Sequence, residues 1–234
     1  MITISIEQSL REGKHPDSLL PNKKPWLTYA VEKGFVHLVK LLLQQGADPN
    51  IRSGKRDSIP LDIALRKGFS IIAEELIKAG ADVYNYNNSP VYTSIEIAAR
   101  GGLGNVVELL IPSFDEQRIN LALLEASCSN DIYTIEVLLQ HGADIHYRRK
   151  YDGRTPLLVA AENGYLEAVI FLLASGARLH DCDDAGGNVL IAATDFCSSI
   201  TLIKYLIRRQ VDVNKATASG NTPLINAICS PEVN

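Results

Sequence analysis

The chain has 234 residues, of which 46% are hydrophobic and 21% charged, so it can bury a core and is not disordered in the main. Its formal charge of −4 argues against general affinity for polyanions. The longest apolar runs, such as Leu41-Leu42-Leu43, cannot span a bilayer, and Met1 to Leu10 lacks the basic start and apolar stretch of a signal peptide.

Taken in order, the chain opens with Ile6 and Leu10 at helical spacing before Gly13 and Pro16, which predicts a helical cap over 1–20. A first unit, 21–53, pairs Leu27 with Ala30, stops at Gly34 and resumes with Val39 and Leu42-Leu43 before Gly46. The second, 54–87, repeats this with Leu61, Ala64, Gly68, Ala73, Leu76-Ile77 and Gly80. The third, 88–115, has Ile95, Ala98, Gly102, Val107 and Leu110-Ile111, and is halted by Pro112. The fourth, 116–149, has Leu123, Ala126, Ile135, Leu138-Leu139 and Gly142. The fifth, 150–183, has Leu157, Ala160, Gly164, Val169, Leu172-Leu173 and Gly176. In the sixth, 184–217, Leu190 and Ala193 precede Ile203 and Leu206-Ile207, with one extra residue between Ala193 and Gln210 that predicts a lengthened helix–helix turn. A partial or capping unit, 218–234, carries Leu224 and Ala227 without a second helix, as expected of a cap or of a chain that continues.

The alanines at 30, 64, 98, 126, 160, 193 and 227 are spaced 34, 34, 28, 34, 33 and 34 residues apart. Two glycine registers, four and sixteen residues after the alanine, are locked to them, which defines a repeat array. Each unit reads as two helices. The alanine allows stacking at about 8–10 Å, and the glycine after it takes the left-handed conformation that ends a helix. The second helix carries an apolar stripe at spacings of three and four. No unit buries its stripe alone, so each neighbour completes the core of the last.

Gly46-Ala-Asp-Pro-Asn50, Gly80-Ala-Asp-Val83, Gly142-Ala-Asp-Ile-His146 and Asp152-Gly-Arg-Thr-Pro-Leu157 closely resemble the ankyrin repeat, whose period is about 33 residues. The resemblance covers about residues 20 to 234 and implies an all-α ankyrin-repeat solenoid of stacked helix–turn–helix units with projecting β-turn fingers. The family's His after Pro-Leu is absent: Thr28, Asp62, Glu96, Leu124, Leu158, Ile191 and Ile225 stand there. The Thr–His bracing of that family is therefore expected to be missing, and the array to be less stable than a consensus one. The shortened interval before Ala126 predicts that the fourth unit has lost most of its finger, leaving a notch in the finger row.

Catalytic groups do not converge. The histidines (His15, His37, His141, His146, His180) and cysteines (Cys128, Cys182, Cys197, Cys229) lack the paired spacing of a zinc site, and the cysteines read as reduced, semi-exposed thiols. Gly101-Gly102-Leu103-Gly104 follows a helix and lacks a P-loop lysine, so it reads as an inter-helix turn. No enzyme activity and no cofactor are expected; Asp115, Glu116 and Cys128, near the notch, are the candidates that an enzyme reading would need.

The resemblance implies a concave binding face built from fingers and first-helix ends. Mapped there are Lys33, Lys55, Arg56, Arg66, Lys67, Arg100 and Arg118 in the first four units, against Glu32. The fifth and sixth units contribute Arg154 against Asp152, Glu162, Asp184 and Asp195. Tyr92 and Tyr151 fall at fingertips as amphipathic anchors, while Trp26 covers the N-terminal core. The expected partner is a protein, with an acidic segment drawn to the basic half. The expected chain is an intracellular monomer that binds neither membrane nor nucleic acid, although Arg148-Arg149-Lys150 between Tyr147 and Tyr151 raises the nucleic-acid alternative. A targeting module of a larger protein, such as a bacterial effector exported into a host cell, has the same fold.

Overall fold

The computed structural model describes residues 2–54, 58–84, 92–194 and 199–229. The chain divides into two compact units, residues 1–114 and 115–234. Among the described residues every regular element is helical, and the only extended pairings are isolated bridges, Leu19 with Pro25 and Ser53 with Ser58.

The first compact unit contains α1 (Ile2–Arg11), α2 (Trp26–Glu32), α3 (Val36–Gln44), α4 (Pro60–Arg66), α5 (Ser70–Lys78), α6 (Ser94–Arg100) and α7 (Gly104–Leu110), with a 3-10 turn at Ile111–Ser113. First helices α2, α4 and α6 pack side by side, as do second helices α3, α5 and α7. Between them Leu27, Ala30, Val39, Leu42, Ala64, Ala73, Leu76, Ala98, Val107 and Leu110 are all buried, while Leu43 and Ile77 of the predicted stripes are half-buried. A larger side chain at the alanines would force the first helices apart. Ile6 on α1 is buried, and Trp26, at the start of α2, is 6% exposed.

The second compact unit contains α8 (Glu116–Ser127), α9 (Ile132–Gln140), α10 (Pro156–Glu162), α11 (Leu166–Ala174), α12 (Val189–Ala193), α13 (Ile200–Arg208) and α14 (Pro223–Cys229). First helices α8, α10, α12 and α14 pack in succession. The shortened interval before Ala126 has a definite form. Instead of a finger, α8 begins directly after Asp115, whose carboxylate accepts the Arg118 N–H at 2.9 Å, and it runs for 12 residues where α10 has 7. The extra residue of the sixth unit lies next to 195–198, outside the described residues.

Both glycine registers are left-handed, with φ of +70°, +69°, +65° and +74° at Gly34, Gly68, Gly102 and Gly164, and of +85° to +105° at Gly46, Gly80, Gly142 and Gly176. Where the pattern lacks glycine, Asn130 (φ +56°) and Gln210 (φ +60°) adopt the same conformation.

The bracing expected to be lost with the missing His is made by other groups. Asn50 accepts the Asp82 N–H at 2.7 Å and donates to the Gly80 carbonyl at 3.2 Å, tying the first repeat to the second. Asn120 accepts the Asp144 N–H at 2.6 Å, and Asn188 donates to the Asp212 carbonyl at 2.9 Å while capping α12 through the N–H groups of Leu190 and Ile191. Two buried carboxylates at the vacated His position also act locally. Asp62 accepts the Ile59 N–H at 3.4 Å, and Glu96 accepts the Thr93 N–H at 2.6 Å.

Candidate functional site

The fingers are short turns closed by backbone pairs. Ser53 and Ser58 exchange N–H···O bonds of 3.1 Å, Arg149 donates to the Arg154 carbonyl at 2.9 Å, and Asp183 donates to the Gly187 carbonyl at 2.9 Å. Within the second compact unit neighbouring fingers are joined as well, Asp184 N–H to the Asp152 carbonyl at 2.9 Å and Ala218 N–H to the Ala185 carbonyl at 2.8 Å. These bonds hold the described parts of the fingers in place.

Four of the mapped cations of the first compact unit lie at the ends of first helices. Lys33 and Lys67 are the C-caps of α2 and α4, and Arg66 and Arg100 are the last residues of α4 and α6. Cations are stabilised there by the helix dipole, by about 0.3–1 kcal/mol each. Lys33, Arg66 and Lys67 come together around a depression of about 470 Å³ whose wall also includes Lys24, Thr28 and Ser53. Glu32 is the one acidic side chain among its described lining residues. Lys24 Nζ lies 2.5 Å from Glu32 Oε2, Lys67 Nζ donates to the Glu32 carbonyl at 2.8 Å, and Arg66 Nη2 lies 3.4 Å from Ser58 Oγ. Arg100 is not among the lining residues, and Lys55 and Arg56 lie outside the described residues.

Lys24 was not singled out from the sequence, although its signal was present. It precedes Ala30 by six residues, the interval that separates Tyr92 from Ala98 and Arg154 from Ala160. The Leu19–Pro25 bridge, with Leu20 N–H donating to the Lys24 carbonyl at 2.8 Å, shapes 19–25 as a turn ahead of α2.

In the second compact unit the charges compensate one another. Arg149 donates twice to Asp152, by Nε at 2.9 Å and by Nη2, and Arg148 donates to Asp184 and to the Cys182 carbonyl at 2.8 Å each. Arg154 pairs with Glu162 and lies 3.6 Å from Asp152 and 4.0 Å from Asp183. The hydrogen bonds to Asp152 raise the Arg149 pKa despite burial. Burial opposes the charged form of Asp152, but the Arg149 and Arg154 hydrogen bonds and charges outweigh it and hold the carboxyl below its ordinary value. The acids mapped at Asp152, Glu162 and Asp184 are thus neutralised by arginines, and Asp195 lies outside the described residues. Arg154 is a half-buried member of this network, and Arg118 sits half-buried in the first turn of α8 with no finger to carry it.

The aromatic candidates are available. Tyr151 is 77% exposed and its ring lies 4.5 Å from the Arg149 guanidinium, while Tyr92, also exposed, immediately precedes the Thr93 cap of α6. Residues proposed for other chemistry have structural roles: Asp115 caps α8, Cys128 Sγ lies 3.5 Å from the Leu124 carbonyl, and Gly101–Gly104 is the turn between α6 and α7. Among the described residues no group of three or more His, Cys, Asp and Glu is placed to hold a metal, and no helix is long and apolar enough to cross a membrane.

Known proteins share this arrangement. A solved ankyrin repeat domain of Bcl-3 superposes with a TM-score of 0.62 at 26% identity, covering 87% of this chain and 94% of that one. The human ASB11 ankyrin repeat domain gives 0.67 at 22% identity over 88% and 92%, a likeness of fold. Among curated proteins, a Caenorhabditis elegans transient receptor potential cation channel subfamily A member 1 homolog is 31% identical over 44% of this chain and 8% of its own length. A putative ankyrin repeat protein of Fowlpox virus is 35% identical over 44% and 31%, and protein phosphatase 1 regulatory subunit 27 of Mus musculus is 37% identical over 28% and 42%. The chain spans less than half the length of each of these curated relatives. The family model for ankyrin repeats (3 copies) matches residues 4–87 and 95–183, and the chain belongs to the ankyrin repeat family.

Proposed function

We propose that this chain is a non-catalytic recognition module that binds a partner protein on the face formed by fingers and first-helix ends, with an acidic segment of the partner on the first repeats. The observation that carries this reading is the depression between α2 and α4, where Lys24, Lys33, Arg66 and Lys67 face only Glu32 among the described lining residues. In the first compact unit Tyr92 and Arg100 are further proposed contacts; in the second, Arg118, Tyr151 and Arg154 are. The Tyr151 ring, with the Arg149 guanidinium 4.5 Å from its centre, presents rigid amphipathic area of the kind found at interface hot spots. Nucleic-acid binding is a poorer fit, because Arg148 and Arg149 are both ion-paired and leave Lys150.

The test is capture of partners from cell lysate by the wild-type chain, by a Lys33→Glu/Arg66→Glu/Lys67→Glu variant and by Tyr151→Ala, all shown by circular dichroism to be folded. A partner retained by the wild type and lost by the triple variant is the expected outcome. Equal capture by all three chains contradicts the proposed face.

A second reading keeps this face within a larger protein. The matched curated relatives are much longer than the segments they share with this chain. On this reading the repeats recruit a protein to an activity carried elsewhere, inside a cell or, for an exported effector, inside a host cell. Expression with and without whatever flanks the segment, followed by comparison of captured partners, tests it; loss of capture from the repeats alone would contradict it.

A further inference from the structure

Resting on the reading that a protein docks on this face, we infer that the depression between α2 and α4 is a carboxylate site that takes acidic side chains from an extended partner segment. Four cationic side chains border it against one carboxylate. The fold itself uses three of the four, Arg66 through its Nη2 at 3.4 Å from Ser58 Oγ. Lys24 meets Glu32, and Lys67 covers the Glu32 carbonyl and lies 5.8 Å from the centre of the Phe69 ring. Lys33 has no such duty: its backbone N–H closes α2 on the Tyr29 carbonyl at 3.1 Å, while its exposed ammonium has neither ion pair nor hydrogen bond among the described residues.

A second observation comes from the wall of the same depression. Thr28 is 1% exposed, and its hydroxyl is buried without a hydrogen-bond partner. A buried donor left unmade destabilises the free protein. The equivalent residues of the next two first helices are carboxylates, Asp62 and Glu96, each accepting a backbone N–H. The first repeat has a hydroxyl where its neighbours carry a carboxylate. An incoming carboxylate, directly or through one water, gives that hydroxyl its acceptor while pairing with Lys33.

The repeat geometry favours an extended peptide over a compact anion. Lys33 and Lys67 cap adjacent helices whose axes stand about 8–10 Å apart. Side chains two or three residues apart on an extended segment are separated by about 7–10 Å. Acidic residues at that interval place one carboxylate at each cap.

The experiment uses the whole chain and an acetylated, amidated, fluorescent peptide of alternating Asp and Ser, with the Asn–Ser peptide as its uncharged counterpart. Anisotropy titrations compare wild type with Lys33→Met, Thr28→Val and, as a control in the second compact unit, Lys150→Met. Expected are binding of the Asp peptide, roughly tenfold weaker binding by Lys33→Met, little change in Lys150→Met, and much weaker binding of the Asn peptide. Thr28→Val is expected to melt at a higher temperature than wild type yet bind more weakly, a combination that misfolding cannot produce. Equal affinities of Lys33→Met and Lys150→Met, or of the two peptides, overturn the site. A higher melting temperature with unchanged affinity in Thr28→Val overturns the part given to the hydroxyl. Failure of the wild type to bind the Asp peptide also overturns the site, whereas the broader docking face fails only if lysate capture is indifferent to the triple reversal.

Discussion

Gln210 and Asn130 stand where the repeat pattern calls for a left-handed residue, and both adopt it. Asparagine tolerates that conformation through local hydrogen bonding, whereas glutamine has no comparable relief. Gln210→Gly removes the steric penalty and gives back part of it as backbone entropy, so it is expected to stabilise the chain by about 0.5–1 kcal/mol in urea unfolding. Asn130 was legible in the sequence, four residues after Ala126 in the glycine register, but only once the conformation was sought instead of the residue type. Asp152 supports a pH prediction. Its folded pKa lies below the ordinary value, so its contribution is fully present above the unfolded value of about 3.9 and is lost as pH falls through the lower folded value. Asp152→Asn should therefore cost about 1–2 kcal/mol at neutral pH, and the difference from wild type should shrink below about pH 4. Unfolding curves at several pH values check both statements.

At the scale of elements, helix positions followed from spacing, because alanine, glycine and apolar stripe are local signals that survive sequence drift. Long-range ties from side chain to backbone were not legible. Asn50, Asn120 and Asn188 bond to backbone groups between 24 and 32 residues away, and nothing in the identity of a backbone amide marks it as a partner. Loss of the family's His thus looked like loss of bracing, when other side chains carry it. Asn188→Ala removes two cap hydrogen bonds to the one Oδ1 and the tie to Asp212 together, and is expected to cost about 1–2 kcal/mol by chemical denaturation. A cost near zero would mean that these bonds are made equally well by water. The fourth unit shows the same contrast. A short interval announced the missing finger, but the 12-residue helix in its place depends on the Asp115 cap, which the repeat pattern does not contain.

For the whole molecule, the period of the sequence determines the family, since stacked repeats are the way such units bury their stripes. The candidate face was read less completely. Charge mapping by register located Lys33, Arg66 and Lys67, which do converge, but counted Asp152, Glu162 and Asp184 as an acidic region when arginines of the same finger row neutralise them. Pairing of Arg148 with Asp184, 36 residues on, depends on how far apart adjacent fingers stand, which is a property of the stacked array. With left-handed non-glycine residues at Lys23, Asn130 and Gln210, the chain is expected to melt below about 80 °C in a calorimetric scan.

The central claim is that a partner protein lies on fingers and first-helix ends and not on the second helices. Site-specific photocrosslinking tests it most directly, with a photoreactive residue placed in turn at Lys33 and Tyr151, on the proposed face, and at Ile71 and Ile170, exposed on second helices α5 and α11. Covalent capture of one and the same protein from Lys33 and Tyr151, with none from Ile71 or Ile170, is the predicted result. Capture from the second-helix positions, with none from Lys33 and Tyr151, would contradict the account.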